Sequence, residues 1–429
     1  MISSWCSCDG SICLGPSGAS GSTETWGRNV DAAFLAHRER GSFVRTHEPV
    51  GIEFVVDLAG IRALTPEYLR LYEVTRNTLP YATQEWHLAW CEHLLSRDPL
   101  VSQQPLFCVL RANDGRCVAI LPLIMTRKRL GPLKFAALAL VGADPSLTEL
   151  RNPLIEPGFE RATVRAAHGW LATLPDWDLI QWNGISAALA EALALEAAPH
   201  WYQTLDDYVI DLNSSWPGYL ATLGHNMRKT LRRCHDSLRR DQHCFEFVIA
   251  RDPVEVRWAL LRFLELHTLR AHKPSGPVHE DRFTTRALRA FLYAVCEQLA
   301  ARDAVRVFQL RIADEVIASR IGFVTGDGLY LYHSGYDPAW ARYGVMTTLM
   351  AETVRYAMAG GLQSINLSLV GEHSKLRWRP RRVDFYSAVV HRDSVRSRLA
   401  CSAYRLAMSD GGGPRRLLRR FLQTRQDWN

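Results

Sequence analysis

Nowhere in this chain do apolar residues run unbroken for the roughly 18–20 positions that a membrane-spanning helix needs. A helical membrane protein is therefore excluded as a reading of the sequence. The opening residues, MISSWCSCDGSICLGPSGASGSTE, lack a basic start and a continuous apolar stretch, so they do not read as a secretory signal. A cytoplasmic location is the default expectation. Patterned cysteine is also missing. Most of the 10 cysteines, such as Cys108, Cys117 and Cys296, sit inside apolar patterns, as reduced core residues do. Cys6, Cys8 and Cys13 form a C-x-C-x4-C cluster without a fourth ligand nearby, and no metal site is expected. The chain has no G-x-S-x-G nucleophile elbow, which leaves chemistry without a covalent serine intermediate. Lysine is scarce, and nearly all the positive charge is arginine.

What is present is an ordinary globular composition, 47% hydrophobic and 22% charged, over 429 residues. That length calls for two domains of about 150–200 residues rather than one core. The net charge of +7 suits anionic ligands such as phosphates. It is not the concentrated footprint of a nucleic-acid binder, and no specific nucleic-acid partner is expected.

Four segments follow from composition and periodicity. Residues 1–48 are rich in Gly, Ser and Thr and read as a disordered leader. Residues 49–205 and 206–408 form two units of one plan. Residues 409–429 form a basic flexible tail in which Arg415, Arg416, Arg419 and Arg420 alternate with Leu417, Leu418, Phe421 and Leu422. Either that tail is a frayed, solvated end, or it lies as a helix on an anionic membrane surface in a peripheral contact. The two units share a weak repeat. PLFCVLRANDGRCVAILPLIM (105–125) and VRVFQLRIADEVIASRIGFV (305–324) are both hairpins, with Phe308, Leu310 and Arg311 answering Phe107, Leu110 and Arg111. Helical patterns precede each hairpin, at 66–79 and 83–96 and again at 253–271 and 283–301. After each come a strand, a helix (159–173 and 344–359) and a last strand (177–184 and 363–371).

The second unit carries the sharper signals. Thr325-Gly326-Asp327-Gly328 is a turn, Leu329 to Tyr336 alternates as a strand does, and Asp337-Pro338 stops it. A loop with Trp340, Arg342 and Tyr343 then reaches Gly344 and an apolar helix closed by Gly360-Gly361. An arginine- and glycine-bearing loop entering a helix N-terminus is a place where backbone N–H groups and the helix dipole favour phosphate. Many crossovers of this form bind nothing.

That stretch, followed by a strand and the run Gly371, Glu372, Lys375 and Trp378 (G-E-x-x-K-x-x-W), resembles the GNAT superfamily of acyl-CoA-dependent N-acyltransferases. More closely it resembles the CelD/BcsL-type acetyltransferases associated with cellulose and exopolysaccharide biosynthesis. NMRKTLRR (226–233) is similar to that family's basic helix, FLELHTLR (263–270) to its L-H-x-x-R helix, and LPLIM (121–125) to its N-terminal half. The resemblance spans roughly residues 50–400. It implies an α/β fold with mixed sheet: two tandem GNAT-like folds, as in the Fem-type aminoacyl transferases. It implies acetyl-CoA or another acyl-CoA as co-substrate, and a small-molecule or polysaccharide-precursor acceptor. Arg342, Tyr343, Gly344, Val345 and Met346 are the implied cofactor-binding run. The run departs from the usual R/Q-x-x-G-x-G/A, because Met346 stands near the last glycine's place and its side chain would crowd a pyrophosphate.

Acyl transfer requires the acceptor amine or hydroxyl to lose a proton, and the departing thiolate to gain one. Glu372, at a strand end in the family's motif, is the expected base; an ion pair with Lys375 or Arg377 is the competing role. His373 is an alternative base or substrate contact, or simply a solvated turn residue. Lys375 either binds phosphate or a carbonyl, or is solvated. Alternation places Tyr332, Ser334 and Tyr336 on one face and His333 and Gly335 on the other, so the phenol of Tyr332 or Tyr336 is the candidate acid. Strand tyrosines are more often core residues with a hydrogen-bonded tip, and that is the competing role for both. His267 and Arg270 share a helix face, and the resemblance assigns them to the acceptor side of the cleft, against packing at a domain interface. Arg232, with Arg228, Lys229 and Arg233, meets an anionic acceptor or is a solvated helix face. The rival functions are a Fem-like aminoacyl-tRNA-dependent transferase and a non-catalytic GNAT-fold scaffold in polysaccharide biosynthesis.

Overall fold

The computed structural model describes residues 51–408 except 97, 99, 131–132, 143–145, 175, 274–278 and 370–372. The leader with its cysteine cluster, the basic tail, Gly371 and Glu372 therefore lie outside the described residues. Among those described, no helix is long and apolar enough to cross a membrane.

The first half contains β1 (Gly51–Val55), α1 (Leu58–Ala63), α2 (Thr65–Thr75), α3 (Gln84–His93), β2 (Val101–Arg111), β3 (Cys117–Leu130), β4 (Leu133–Leu140), β5 (Leu154–Ile155), α4 (Glu160–Thr173), β6 (Leu179–Ile185), α5 (Ala187–Glu196) and β7 (His200–Asp211). After α6 (Trp216–Thr222) and α7 (His225–Arg240), the second half repeats the plan. It runs through β8 (Phe245–Ala250), α8 (Pro253–Ala271), α9 (Arg286–Ala300), β9 (Val305–Ile312), β10 (Glu315–Thr325), β11 (Gly328–Tyr336), α10 (Val345–Ala359), β12 (Ser364–Leu369), α11 (His373–Leu376), β13 (Arg381–His391) and α12 (Val395–Met408).

Local chemistry sets many of these limits. The Asp252 carboxylate accepts from the N–H groups of Val254 at 2.9 Å and Glu255 at 3.0 Å, with Pro253 in the first turn, so α8 starts where its sequence says it must. The turn at Asn113-Asp114-Gly115 closes β2 on β3, with Gly115 at φ 82°.

All the long strands join one mixed sheet in the order β1-β2-β3-β4-β6-β13-β7-β12-β11-β10-β9-β8, with β5 attached to β3. Exchanging each strand for its counterpart in the other half (β1 for β8, β6 for β12, β7 for β13) reproduces the same order reversed. The parallel pairs, β4 with β6 and β11 with β12, are each bridged by a crossover helix, α4 or α10. Each half's last strand is exchanged: β13 pairs with β6 of the first half, and β7 pairs with β12 of the second. The sequence names β6 and β12 as the last strand of each unit and gives no sign of this exchange. The boundary expected between 205 and 206 falls inside β7.

Alternation along the strands feeds two faces. Phe107 and Val109 face one core and Cys108 and Leu110 another; Val305 and Val307 are likewise opposed to Phe308 and Leu310. On one face both halves share a single core. There Phe291 of α9 lies edge-on to Trp86 and Trp90 of α3, with ring centroids 5.2 and 5.7 Å apart. On the other face α4 and α5 cover the first half, and α7 and α10 cover the second.

Two irregularities shape the centre. β11 and β12 are paired only from Gly328↔Ser364 to Tyr330↔Asn366, although β11 continues to Tyr336, so the strands part beyond Tyr330. A bulge in β11 also sets Tyr332 and His333 together opposite Ile321. That bulge overturns the expected alternation. Tyr332 joins the shared core with Trp86 and Phe323, His333 lies against its ring at 4.1 Å, and Tyr336 packs on the opposite face.

Candidate active site

The gap between β11 and β12 receives a loop from the other half. Leu147 accepts the Tyr332 hydroxyl at 2.8 Å, and Thr148 accepts the Trp86 indole N–H at 3.0 Å. Glu149 takes three hydroxyls: Tyr330 at 2.5 Å, Tyr81 at 3.2 Å and Ser368 at 2.8 Å. Burial, and then the Glu149 charge, raise Tyr330 and Tyr81 well above the ordinary phenol range, so both remain donors. Ser368 has φ 70°, rare for a residue with a side chain, at a bulge between Asn366 and Leu369. Its N–H donates to Asn366 Oδ1 at 2.6 Å, which holds the turned backbone in place. Lys375 completes the group, donating to the Leu369 carbonyl and reaching Ser368 Oγ at 3.4 Å.

Beside it stands Asp207 of β7, opposite Leu369 in register and only 2% exposed. Asn366 donates to its Oδ2 at 2.6 Å, while its Oδ1 has no hydrogen-bond partner. Burial raises this carboxyl to about 6, opposed by the Asn366 bond and reinforced by the Glu149 charge. Asp207 and Asn366 line a cleft of about 590 Å³ between the halves. Its walls mix amides and carboxylates, among them Asn77, Asn152, Asp211 and Asp327, with apolar side chains such as Leu79 and Phe385. A buried carboxyl poised near neutrality, with one oxygen unengaged and a polar cleft before it, can take a proton from a bound amine or hydroxyl.

The sequence candidates are placed unevenly around this centre. Lys375 is part of it, and His373 is exposed at the start of α11. Tyr332 reaches the same gap, but its hydroxyl is engaged by Leu147. Tyr336 is half-buried at the end of β11, just before the 3-10 turn Pro338–Tyr343. His267 is 6% exposed; its Nδ1 donates to the Ser334 carbonyl at 3.0 Å and its Nε2 accepts the Arg282 N–H at 3.2 Å. Burial lowers its pKa, and with both nitrogens engaged it pins α8 to β11 rather than offering a base. Arg270 does similar work, donating to Ser334 Oγ at 2.7 Å.

At the donor side, α10 starts after Gly344, whose φ of 64° lets the chain enter the helix, and no side chain caps it. Val345 is buried, and Met346 packs half-buried against the apolar cluster. Arg377 donates to Thr347 Oγ1 at 2.8 Å, which brings a guanidinium to the first turn. Tyr343 is buried and donates to Asp241 at 2.9 Å, while Arg342 lies over its ring at 4.6 Å. Arg232 is one turn from Arg228 on α7, away from the Glu149 centre. Among the described residues no cluster of His, Cys, Asp or Glu is arranged to hold a metal.

Sequence reasoning missed Glu149 and Asp207. Neither belongs to a motif, and the signal that each offered was slight: a carboxylate in a polar loop, and an aspartate pair in the middle of β7.

Residues 225–380 match the acetyltransferase (GNAT) domain model. No curated protein matches the chain. Among solved structures, FemX aligns at 8% identity over 75% of this chain and 95% of its own, with a TM-score of 0.49. L-PGS from Bacillus licheniformis aligns at 13% over 75% and 90%, TM-score 0.45. A tandem GNAT protein from the clavulanic acid biosynthesis pathway aligns at 11% over 80% and 98%, TM-score 0.40.

Proposed function

We propose that this chain is a GNAT-type acyltransferase that moves an acyl group, most simply acetyl from acetyl-CoA, to an amine or hydroxyl of a sugar or cell-envelope precursor such as an exopolysaccharide intermediate. The observation that carries this reading is Asp207, a buried carboxyl in the wall of the cleft whose Oδ1 has no hydrogen-bond partner. In this reading the acceptor sits in the cleft, where amides and carboxylates suit a polyhydroxylated or amino-bearing molecule. Asp207 takes its proton as the acceptor attacks the thioester carbonyl, the C–S bond breaks, and the thiolate leaves with a proton from Tyr336 or water. The uncapped start of α10, with Arg377 at its first turn, fits the donor's pyrophosphate. Met346 turns partly into the apolar cluster rather than wholly across that end. Glu372 remains the second carboxylate proposed for proton transfer.

Thiol release from acetyl-CoA with a panel of amino sugars, measured on wild type, Asp207→Asn and Glu372→Gln, tests the reading. Activity that neither substitution lowers sinks both assignments, and wild type with no thiol release on any acceptor sinks the activity itself.

One observation favours a second reading. α7 presents Arg228, Lys229, Arg232, Arg233, Arg239 and Arg240 on a single helix, a surface suited to the phosphates of an aminoacyl-tRNA donor. Binding to charged tRNA that weakens steeply with salt would select that reading.

A further inference from the structure

A second cavity, of about 670 Å³, lies apart from the cleft, between α6, α7 and α10. One face of α7 lines it with His225, Arg228, Arg232 and His235, spaced as helical neighbours three and four residues apart. α10 supplies Arg355, and α6 supplies Trp216. Arg355 is already committed: it pairs with Glu352 at 2.9 Å and lies over the Trp216 ring at 4.8 Å. Arg228 and Arg232 are not. Among the described residues neither guanidinium has an ion pair or a hydrogen bond. Asp236 is the one other carboxylate on the wall.

Two like charges one turn apart repel each other, and Arg228, at the end of the first turn of α7, lies where the helix dipole disfavours a cation. Helix stability therefore does not account for them. A phosphate does, since a guanidinium fork matches its oxygens, and two such forks one turn apart can grip one phosphate group. The Trp216 indole and the two histidines offer flat surfaces for an attached base or sugar. The volume is that of a small-molecule site.

We propose that this cavity binds an organic phosphate, gripped by Arg228 and Arg232, with the attached base or sugar against Trp216. The chemistry fits two sources: the phosphorylated nucleotide end of an acyl-CoA, or a phosphorylated sugar acceptor. The site stands on its own residues and does not depend on the acyl-transfer reading.

Calorimetric titration of the full chain with two probes tests it: the adenosine bisphosphate corresponding to the nucleotide end of coenzyme A, and glucosamine phosphate. Wild type binds at least one of them. The double variant Arg228→Gln/Arg232→Gln weakens that binding by roughly 100-fold, about tenfold for each charged contact. Arg398→Gln, on α12 and outside the cavity, leaves it unchanged. Melting curves confirm that the variants fold, since glutamine keeps the helix propensity.

Adenosine bisphosphate binding that acetyl-CoA displaces assigns the site to the donor. Glucosamine phosphate binding that acetyl-CoA does not disturb assigns it to the acceptor. If neither probe binds wild type, or if the double variant binds as wild type does, the site is overturned. Thiol release measured in parallel separates the two readings. Transfer with unchanged KM values in the double variant removes the site and keeps the acyltransferase. Arginine-dependent phosphate binding in a chain that releases no thiol does the reverse.

Discussion

Glu149, from the first half of the chain, accepts the hydroxyl of Tyr330, on β11 of the second half, at 2.5 Å. The centre of this molecule is thus assembled from both halves. Tyr81 and Ser368 share the same carboxylate, so its removal strands three donors beside the shared core. Glu149→Ala should lower unfolding free energy by about 3 kcal/mol or more in urea titrations, and Glu149→Gln by less, because bonds to a charge contribute about 1.5–3 kcal/mol each. In a double-mutant cycle, Glu149→Ala and Tyr330→Phe should be non-additive. Additive losses would mean that the contact does not couple the halves.

Asp207→Asn should cut kcat/KM on the order of 10²-fold or more if the carboxylate takes the acceptor's proton. In wild type the acid limb of the kcat/KM profile should fall near pH 6, where this carboxyl titrates. A wild-type profile flat from pH 5 to 7 (about one unit to either side of 6) argues for a different base.

The same group carries a stability prediction of opposite sense. Its folded value, about 6, lies above the ordinary 3.8, so the fold favours the neutral form. That contribution is complete below about pH 4 and is lost as pH rises through about 6. Asparagine is neutral at every pH. Asp207→Asn should therefore melt like wild type in acid and be more stable by about 2–3 kcal/mol near pH 8. Equal melting differences at both ends would show that ionisation is not what burial opposes.

His267 was expected near the acceptor, but both of its nitrogens hold structure. His267→Ala should destabilise by about 2–4 kcal/mol, since it leaves the Arg282 amide without its imidazole partner, takes one of two side-chain donors from the Ser334 carbonyl and opens a void. The pH dependence of any activity should keep its shape. A lost or shifted limb would restore His267 to a role in proton transfer.

Gly335 faces the same helix, and a Cβ there would stand 2.4 Å from the backbone nitrogen of His267. Backbone cannot yield as a side-chain tip can, so Gly335→Ala should prevent soluble, folded expression. Gly344→Ala, whose Cβ would meet the Cys234 sulfur at 2.5 Å and would also need φ 64°, should fold with lowered stability. Equal behaviour of the two variants would contradict the difference between backbone and side-chain contact.

The sequence by itself determined the local elements and their tandem order. Asp252-Pro253 starts α8, Asn113-Asp114-Gly115 turns β2 into β3, and Gly344 opens α10, because caps, turns and periodicity act over a few neighbouring residues. It also singled out Lys375, which the fold sets against Ser368 and the Leu369 carbonyl. Tertiary structure alone decided the rest. The exchange of β7 and β13 is a choice among sheet edges far apart in the chain, which no local pattern encodes. The bulge at Tyr332-His333 moves one tyrosine off the face that strict alternation assigns, because a single extra residue reverses the order beyond it. Glu149 and Asp207 are ordinary carboxylates until folding brings one to three hydroxyls and buries the other beside it. The chemistry of Asp207 comes from burial and from the Glu149 charge, and both exist only once the two halves close on one sheet.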